Sequence, residues 1–147
     1  RDTLNILLIG NNPIDMNSIL EKINQIHGAR IMTEIAFDVK SILERLMRFK
    51  PNFILIDDNI GKSQLAETVD ALTHGNNTKN IPITVLKNSN YEESGASNSI
   101  LDYALKTNLS AESLYKIVRN ALRFKRTQTY LAKAYQRRSR LLKRIKL

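Results

Sequence analysis

Four short apolar stretches of the chain end in residues that could do chemistry. These residues are Gly10 with Asn11, Asp57, Lys87 and Lys106. A carboxylate beside ammonium groups accepts charge-assisted hydrogen bonds, and a lysine can supply positive charge in place of a metal ion. If the four stretches are parallel strands of one sheet, their carboxyl ends share an edge and these residues form one site. Each of them alone would more often simply terminate a buried strand.

The elements that must position this site follow the pattern of an α/β protein. Short apolar runs alternate with stretches of helical period, which predicts a doubly wound, five-stranded parallel sheet with an extended C-terminal helix. The predicted strands are 4–9, 31–37, 51–57, 81–86 and 101–105, and the predicted helices start at Pro13, Val39, Lys62 and Ser110. The predicted inward residues of the first two helices are Ile14, Ile19, Leu20, Ile23, Ile42, Leu43, Leu46 and Met47. Between Asn88 and Ser99 the periodicity fails, so a helix there is expected to be short or frayed.

Length and composition restrict the class of protein. The 147 residues fit one domain with a single core, and the absence of cysteine excludes disulfides and thiol chemistry. No apolar run approaches the roughly 20 residues of a membrane span, so we expect a cytoplasmic protein without a span. Because the sequence begins at Arg1 without methionine, we expect a fragment of something longer.

Positive charge is concentrated at the end of the chain. The net charge is +9, and residues 111–147 hold 12 of the 23 Lys and Arg with Glu112 as their single acid. The part before them is slightly acidic. A mildly acidic globular part followed by a basic helix predicts that the two parts of the chain have different roles.

Four sequence blocks resemble the receiver domains of bacterial two-component response regulators. The blocks are ILLIGNNP from Ile6, PNFILID from Pro51, IPITVLK from Ile81 and DYALK from Asp102. The resemblance covers residues 4 to about 122 and implies a flavodoxin-like receiver domain over 4–122, with a helical extension over 123–147. It further implies that Asp57 is the phospho-acceptor for a histidine kinase and that Lys106 pairs with the phosphorylated oxygen. Tyr103 would be the aromatic switch residue.

The same blocks depart from the receiver pattern at the positions that bind metal in typical receivers. Typical receivers place two metal-binding acids where this chain has Gly10 and Asn11. Because phosphoryl transfer needs a metal to neutralise developing charge, we expect slow reaction and weak Mg²⁺ binding at most. The residues that could still offer oxygen to such an ion are Asp57, Asn11, Asn59 and the neighbouring Asp58.

Lys87 stands where receivers usually carry Ser or Thr. Its ammonium is expected either to pair with Asp57, together with Lys106, or to point into solvent. We therefore predict a degenerate receiver, or pseudo-receiver, in a phosphorelay protein. It would act through protein contacts and dimerisation rather than as an enzyme, with phosphorylation of Asp57 impaired or absent. The alternative is a response regulator that is phosphorylated on Asp57 despite the lost acids.

The basic helix carries a heptad pattern. Counted from Leu114 as position a, eight of the ten a and d residues are apolar, which predicts a coiled-coil seam. The seam residues of the later heptads are Phe124, Leu131, Tyr135, Leu142 and Ile145, interrupted by Gln128 and Arg138. We expect a homodimer through this helix, which would lead to an effector domain absent from this fragment.

Other roles compete with this interpretation. The run from Arg119 to Lys146 contains no acid, so nucleic-acid binding by the basic face is the second alternative. Attachment to an anionic membrane surface is third, because the apolar face has no tryptophan. An enzyme is least favoured. His27 and His74 lie away from the predicted site, and Asp57 with Asp58 lacks the remainder of a metal-dependent hydrolase.

Overall fold

The computed structural model describes residues 3–88 and 102–145, which form one five-stranded parallel sheet with helices. The strands are β1 (Thr3–Ile9), β2 (Arg30–Ala36), β3 (Phe53–Asp57), β4 (Ile83–Lys87) and β5 (Asp102–Leu105). The helices are α1 (Pro13–Asn24), α2 (Val39–Leu46), α3 (Lys62–His74) and α4 (Ala111–Ile145), with a 3-10 turn at Asp58–Ile60. The predicted fold class is confirmed, including the long C-terminal helix. The short helix expected between Asn88 and Ser99 lies outside the described residues.

The strand order places the polar strand ends at one edge. The order is β2-β1-β3-β4-β5, so the chain winds outward in opposite directions from β1 and β3. In the register, Asp57 at the end of β3 lies opposite Leu86 of β4, and Lys87 lies opposite Leu105 of β5. Lys106 is the next residue after β5. A switch in winding direction is where doubly wound proteins open a crevice at the carboxyl ends of their strands.

Alternating side chains of the central strands build a core on each face of the sheet. On one face, Leu8, Phe53 and Leu55 pack with residues of α1 and α4 such as Ile19 and Leu114. The opposite face is filled by the intervening strand residues, which pack against α2 and α3. Because all five residues of β3 are buried, Asp57 ends a strand that is covered on both sides.

Two predicted inward faces are partly wrong. Ile14 is 81% exposed, and Met16 lies in the core instead. Ile14 precedes Ile19 by five residues, which at about 100° per residue places it well away from the buried face. In α2, Leu43 is exposed, whereas its neighbours Ser41 and Ile42 are buried, so the inward face of this helix is centred on them. Met47 is also exposed, since the helix ends at Leu46.

Local interactions set the start of β4 and the end of α1. The strand β4 starts at Ile83 rather than Ile81, since Pro82 has no N–H and contributes only its carbonyl, which accepts from the Ile54 amide at 3.1 Å. The helix α1 ends at Asn24, before Gly28. A Cβ at Gly28 would lie 2.6 Å from the ring of Tyr115, so glycine is needed there for close approach of α4.

Candidate functional site

Asp57 is the centre of the candidate site at the carboxyl edge of the sheet. Its side chain is fully buried, and its Oδ1 accepts from the Lys106 ammonium at 2.6 Å. The same oxygen accepts a hydrogen bond from the backbone amide of Asn59 at 3.0 Å. This hydrogen bond caps the start of the 3-10 turn after β3. The other oxygen, Oδ2, is buried without a hydrogen-bond partner among the described residues. A buried carboxylate requires a compensating cation, and Lys106 supplies it.

Lys106 is held at the site by both its backbone and its side chain. Its amide donates to the carbonyl oxygen of Lys87 at 2.8 Å, which continues the β4–β5 ladder by one residue. Its Nζ also donates to Oδ2 of Asp15 at 3.3 Å, and the side chain is only 14% exposed. Lys106 therefore bridges two carboxylates from different elements, Asp57 at the end of β3 and Asp15 in the first turn of α1.

Asp15 was not among the predicted site residues. It lies at the start of α1, where the side chain of Asn12 caps the helix by accepting from the Asp15 amide at 3.0 Å. The carboxylate of Asp15 also accepts a hydrogen bond from the side-chain amide of Asn59. An acid in the first turn after β1 was the available signal. The prediction considered only Gly10 and Asn11, the two residues directly after the strand, and so did not include Asp15.

The place of a first-strand acid is occupied by Met16. A Cβ on Gly10 would overlap the Met16 sulfur and would lie 3.1 Å from Cβ of Asp57. Met16 is buried. Asn11 is exposed, and within the described part of the chain no hydrogen bond joins it to Asp57. Gly10 therefore lies beside Asp57 but offers no side-chain oxygen, and Asn11 makes no hydrogen bond to Asp57 in this part of the chain.

Lys87 is directed at an aromatic ring. Its Nζ lies 5.0 Å from the ring centroid of Tyr103, the predicted switch residue, which is a cation–π distance. Burial raises the pKa of the Tyr103 hydroxyl. Of the two lysines expected to pair with Asp57, Lys106 forms the ion pair, whereas the Lys87 ammonium lies over the Tyr103 ring. Lys87 can lie over the Tyr103 ring because the two residues extend from adjacent strands.

Asp58 and Asn59 extend the polar cluster toward β4. Desolvation by burial raises the pKa of the Asp58 carboxyl, while a hydrogen bond from the Asn88 amide at 3.4 Å and the positive charges of Lys106 and Lys87 oppose that rise. The side chain of Asn88 donates to Oδ1 of Asn59. A continuous polar chain thus runs from Asn88 through Asn59 and Asp15 to Lys106 and Asp57.

These residues do not fit a magnesium ion well. Mg²⁺ requires near-octahedral oxygen ligands, often including carboxylates. The buried unpartnered oxygens Asp57 Oδ2 and Asp58 Oδ1 are candidates. However, Met16 fills the space beside Gly10, and an ammonium already neutralises Asp57. Across residues 3–88 and 102–145, no three Asp, Glu, His or Cys side chains are grouped to hold a metal.

The C-terminal helix has a packed half and a protruding half. Leu114, Val118 and Ala121 are buried in the core beside α1. The later seam residues Phe124, Leu131, Tyr135 and Leu142 are all at least half exposed. The side chain of Ile145 lies outside the described residues. No helix in the described part of the chain has the length and apolar character needed to cross a membrane.

Comparison with known proteins identifies the fold. No protein-family model and no curated protein match the sequence. Among solved structures, the receiver domain of a sensor histidine kinase from Pseudomonas aeruginosa, with magnesium coordinated in its active-site cleft, is 18% identical. The alignment covers 82% of this chain and 98% of that one, with a TM-score of 0.66.

Two further structures are similar along most of their length. The N-terminal domain of a response regulator/sensory box/GGDEF protein from Carboxydothermus hydrogenoformans is 21% identical, with a TM-score of 0.65 and coverage of 85% of this chain and 98% of that one. A fusion containing a trimeric coiled-coil segment of yeast Spc42 is 21% identical, with a TM-score of 0.68 and coverage of 96% and 95%. The chain has the fold of receiver domains.

Proposed function

We propose that this chain is a degenerate receiver domain of a two-component signalling protein, in which phosphorylation of Asp57 is impaired or absent. One observation carries the proposal. Asp57 is buried and paired with Lys106, Lys106 is paired with Asp15, and Met16 fills the space of the missing acid. The charge of the phospho-acceptor position is therefore balanced inside the protein itself.

This arrangement opposes phosphoryl transfer for a physical reason. Transfer to a carboxylate is catalysed by positioning and by cations that neutralise the transferring oxygens. Here Lys106 is shared between two carboxylates, so it is already compensated before a phosphoryl group arrives. Without carboxylates at positions 10 and 11, little remains to bind a divalent ion beside Asp57.

The output in this proposal is protein contact. The exposed seam of α4 would pair with a second copy, and the packed half of α4 would tie that pair to the sheet. A histidine kinase or an attached effector domain is the proposed further partner. The similarity to the N-terminal domain of a response regulator/sensory box/GGDEF protein supports an attached effector domain, and the similarity to a fusion with a trimeric coiled-coil segment supports association through a helix.

Intact-mass measurement after incubation with acetyl phosphate and Mg²⁺ tests the proposal. We expect no stoichiometric gain of a phosphoryl group, either in the unchanged chain or in the Asp57→Asn variant. A triple variant, Gly10→Asp, Asn11→Asp and Met16→Ala, restores two acids and removes the side chain that would collide with the first. We expect this variant to be modified at Asp57.

Stoichiometric modification of Asp57 in the unchanged chain would contradict the proposal. It would support the alternative of a response regulator that is phosphorylated without the usual acids. A triple variant that is folded and stays unmodified would show that the lost acids are not the cause of the impairment. Circular dichroism of each variant checks the fold.

A further inference from the structure

A second site lies at the opposite edge of the sheet from Asp57. The start of β1, the loops before β3 and β4 and the α4 segment from Leu122 to Lys133 enclose an open cleft of about 710 Å³. Its lining includes Lys125, Arg126, Tyr130 and Lys133. The receiver function proposed above does not involve this cleft.

The cleft is electropositive and uncompensated. Three of its lining residues are Lys125, Arg126 and Lys133, and no acid is among the described residues that line it. Across residues 3–88 and 102–145, none of these three cations forms an ion pair. Charges of one sign gathered in a concave surface attract anions more strongly than the same charges spread over a convex one.

An aromatic side chain lies beside these cations. Tyr130 lines the cleft and is 71% exposed, so much of its surface is accessible. Lys125 and Lys133 are eight residues apart, which corresponds to roughly 12 Å along the helix. That span is longer than one phosphate group, so the cleft suits a chain of phosphates. Cations that follow a backbone together with an aromatic platform are the components of single-stranded nucleic-acid sites.

We propose that this cleft binds a single-stranded nucleic acid, with its phosphates on Lys125, Arg126 and Lys133 and one base stacked on Tyr130. A ligand bound to these residues would not block dimerisation through the seam. None of them occupies an a or d position of the seam, so a dimer through α4 would carry two accessible clefts.

Fluorescence anisotropy with labelled single-stranded RNA and DNA oligonucleotides tests this proposal on the full chain. We expect binding that weakens steeply as salt rises. The variant Arg126→Ala/Lys133→Ala should bind at least about ten-fold more weakly than the control Arg137→Ala/Arg140→Ala. The control removes the same charge from the same helix outside the cleft. Tyr130→Ala should lose about ten-fold, and Tyr130→Phe should bind like the unchanged chain.

Several outcomes would overturn the proposal. Equal loss in the two charge variants would indicate diffuse attraction to the helix. Absence of binding at low salt, or an unchanged affinity in Tyr130→Ala, would exclude the stacked single strand. Tighter binding to phosphatidylserine vesicles than to either oligonucleotide would favour a membrane. Binding to RNA alone or to DNA alone supports the site and identifies the polymer. The result is independent of whether Asp57 is phosphorylated, because the two sites share no residue.

Discussion

At the carboxyl edge of the sheet, one lysine is shared by two carboxylates in a nearly buried cluster, whereas at the amino edge three cations line an open cleft. Lys106 has both its partners within 3.3 Å. Lys125, Arg126 and Lys133 have no ion-pair partner among the described residues. The site expected to react is thus internally neutralised, while the cations without ion-pair partners lie on α4.

The charges at the two edges contribute differently to stability because they differ in burial. A charge pair inside the protein interacts through a low effective dielectric and is costly to break. Exposed cations are solvated and screened, so they contribute little to stability but remain available to a ligand. We therefore expect substitutions at the carboxyl edge to change the free energy of unfolding and those on α4 to change association.

The largest expected effect is at Lys106. Replacing it with alanine leaves the buried Asp57 carboxylate without its cation, and we expect a loss of about 3–5 kcal/mol in the free energy of unfolding. Urea titration measures the loss. The double variant Asp57→Asn/Lys106→Met removes both charges and should recover most of it. A loss below about 1 kcal/mol in Lys106→Ala would mean that the pair is effectively exposed.

The seam of α4 provides the second prediction. Leu131→Asp places a charge in the apolar stripe and should raise the dimer dissociation constant by at least about ten-fold. Sedimentation velocity measures the change. Gln136→Asp adds the same charge at an exposed position outside the a and d set and should leave sedimentation unchanged. If the unchanged chain sediments as a monomer at all concentrations, the seam is not a homodimer interface.

Asp15 gives a smaller effect. Asp15→Asn keeps the shape but removes one of the two carboxylates that hold Lys106, so we expect a loss of about 1 kcal/mol. Asp70→Asn is a matched control on the exposed surface of α3, where the carboxylate contacts His74, and should change stability by less than about 0.5 kcal/mol. Equal effects in both variants would remove Asp15 from the site.

The smallest effect concerns pH and Asp58. Burial raises the pKa of its carboxyl above the usual range of an aspartate, so the fold favours the protonated form. This stabilising contribution is complete below the unfolded pKa and is lost as pH rises through the folded pKa. Asp58→Asn should therefore be more stable than the unchanged chain at pH 7, by less than about 1 kcal/mol. The difference between them in urea titrations should shrink toward pH 4, and a constant difference would contradict this assignment.

The order of apolar runs in the sequence was enough to predict the five strands, their parallel arrangement and the shared edge that holds Asp57 and Lys106. A buried strand must be apolar on both faces, so its signal is local and its polar terminus is conspicuous. The side chains of Ile14 and Leu43 were placed wrongly, because the phase of a short helix depends on how its caps and neighbours orient it.

The sequence by itself determined which residues stand at strand ends and that the positive charge lies in the last helix, because both follow from positions along the chain. Only the tertiary structure decided that Met16 fills the space beside Gly10, that Asp15 shares Lys106 with Asp57, and that Lys87 lies over Tyr103. It also decided that α4 encloses a cleft with the loops at the amino edge. These contacts join residues distant in sequence, so no local pattern encodes them, and the packing of helices on the sheet selects them.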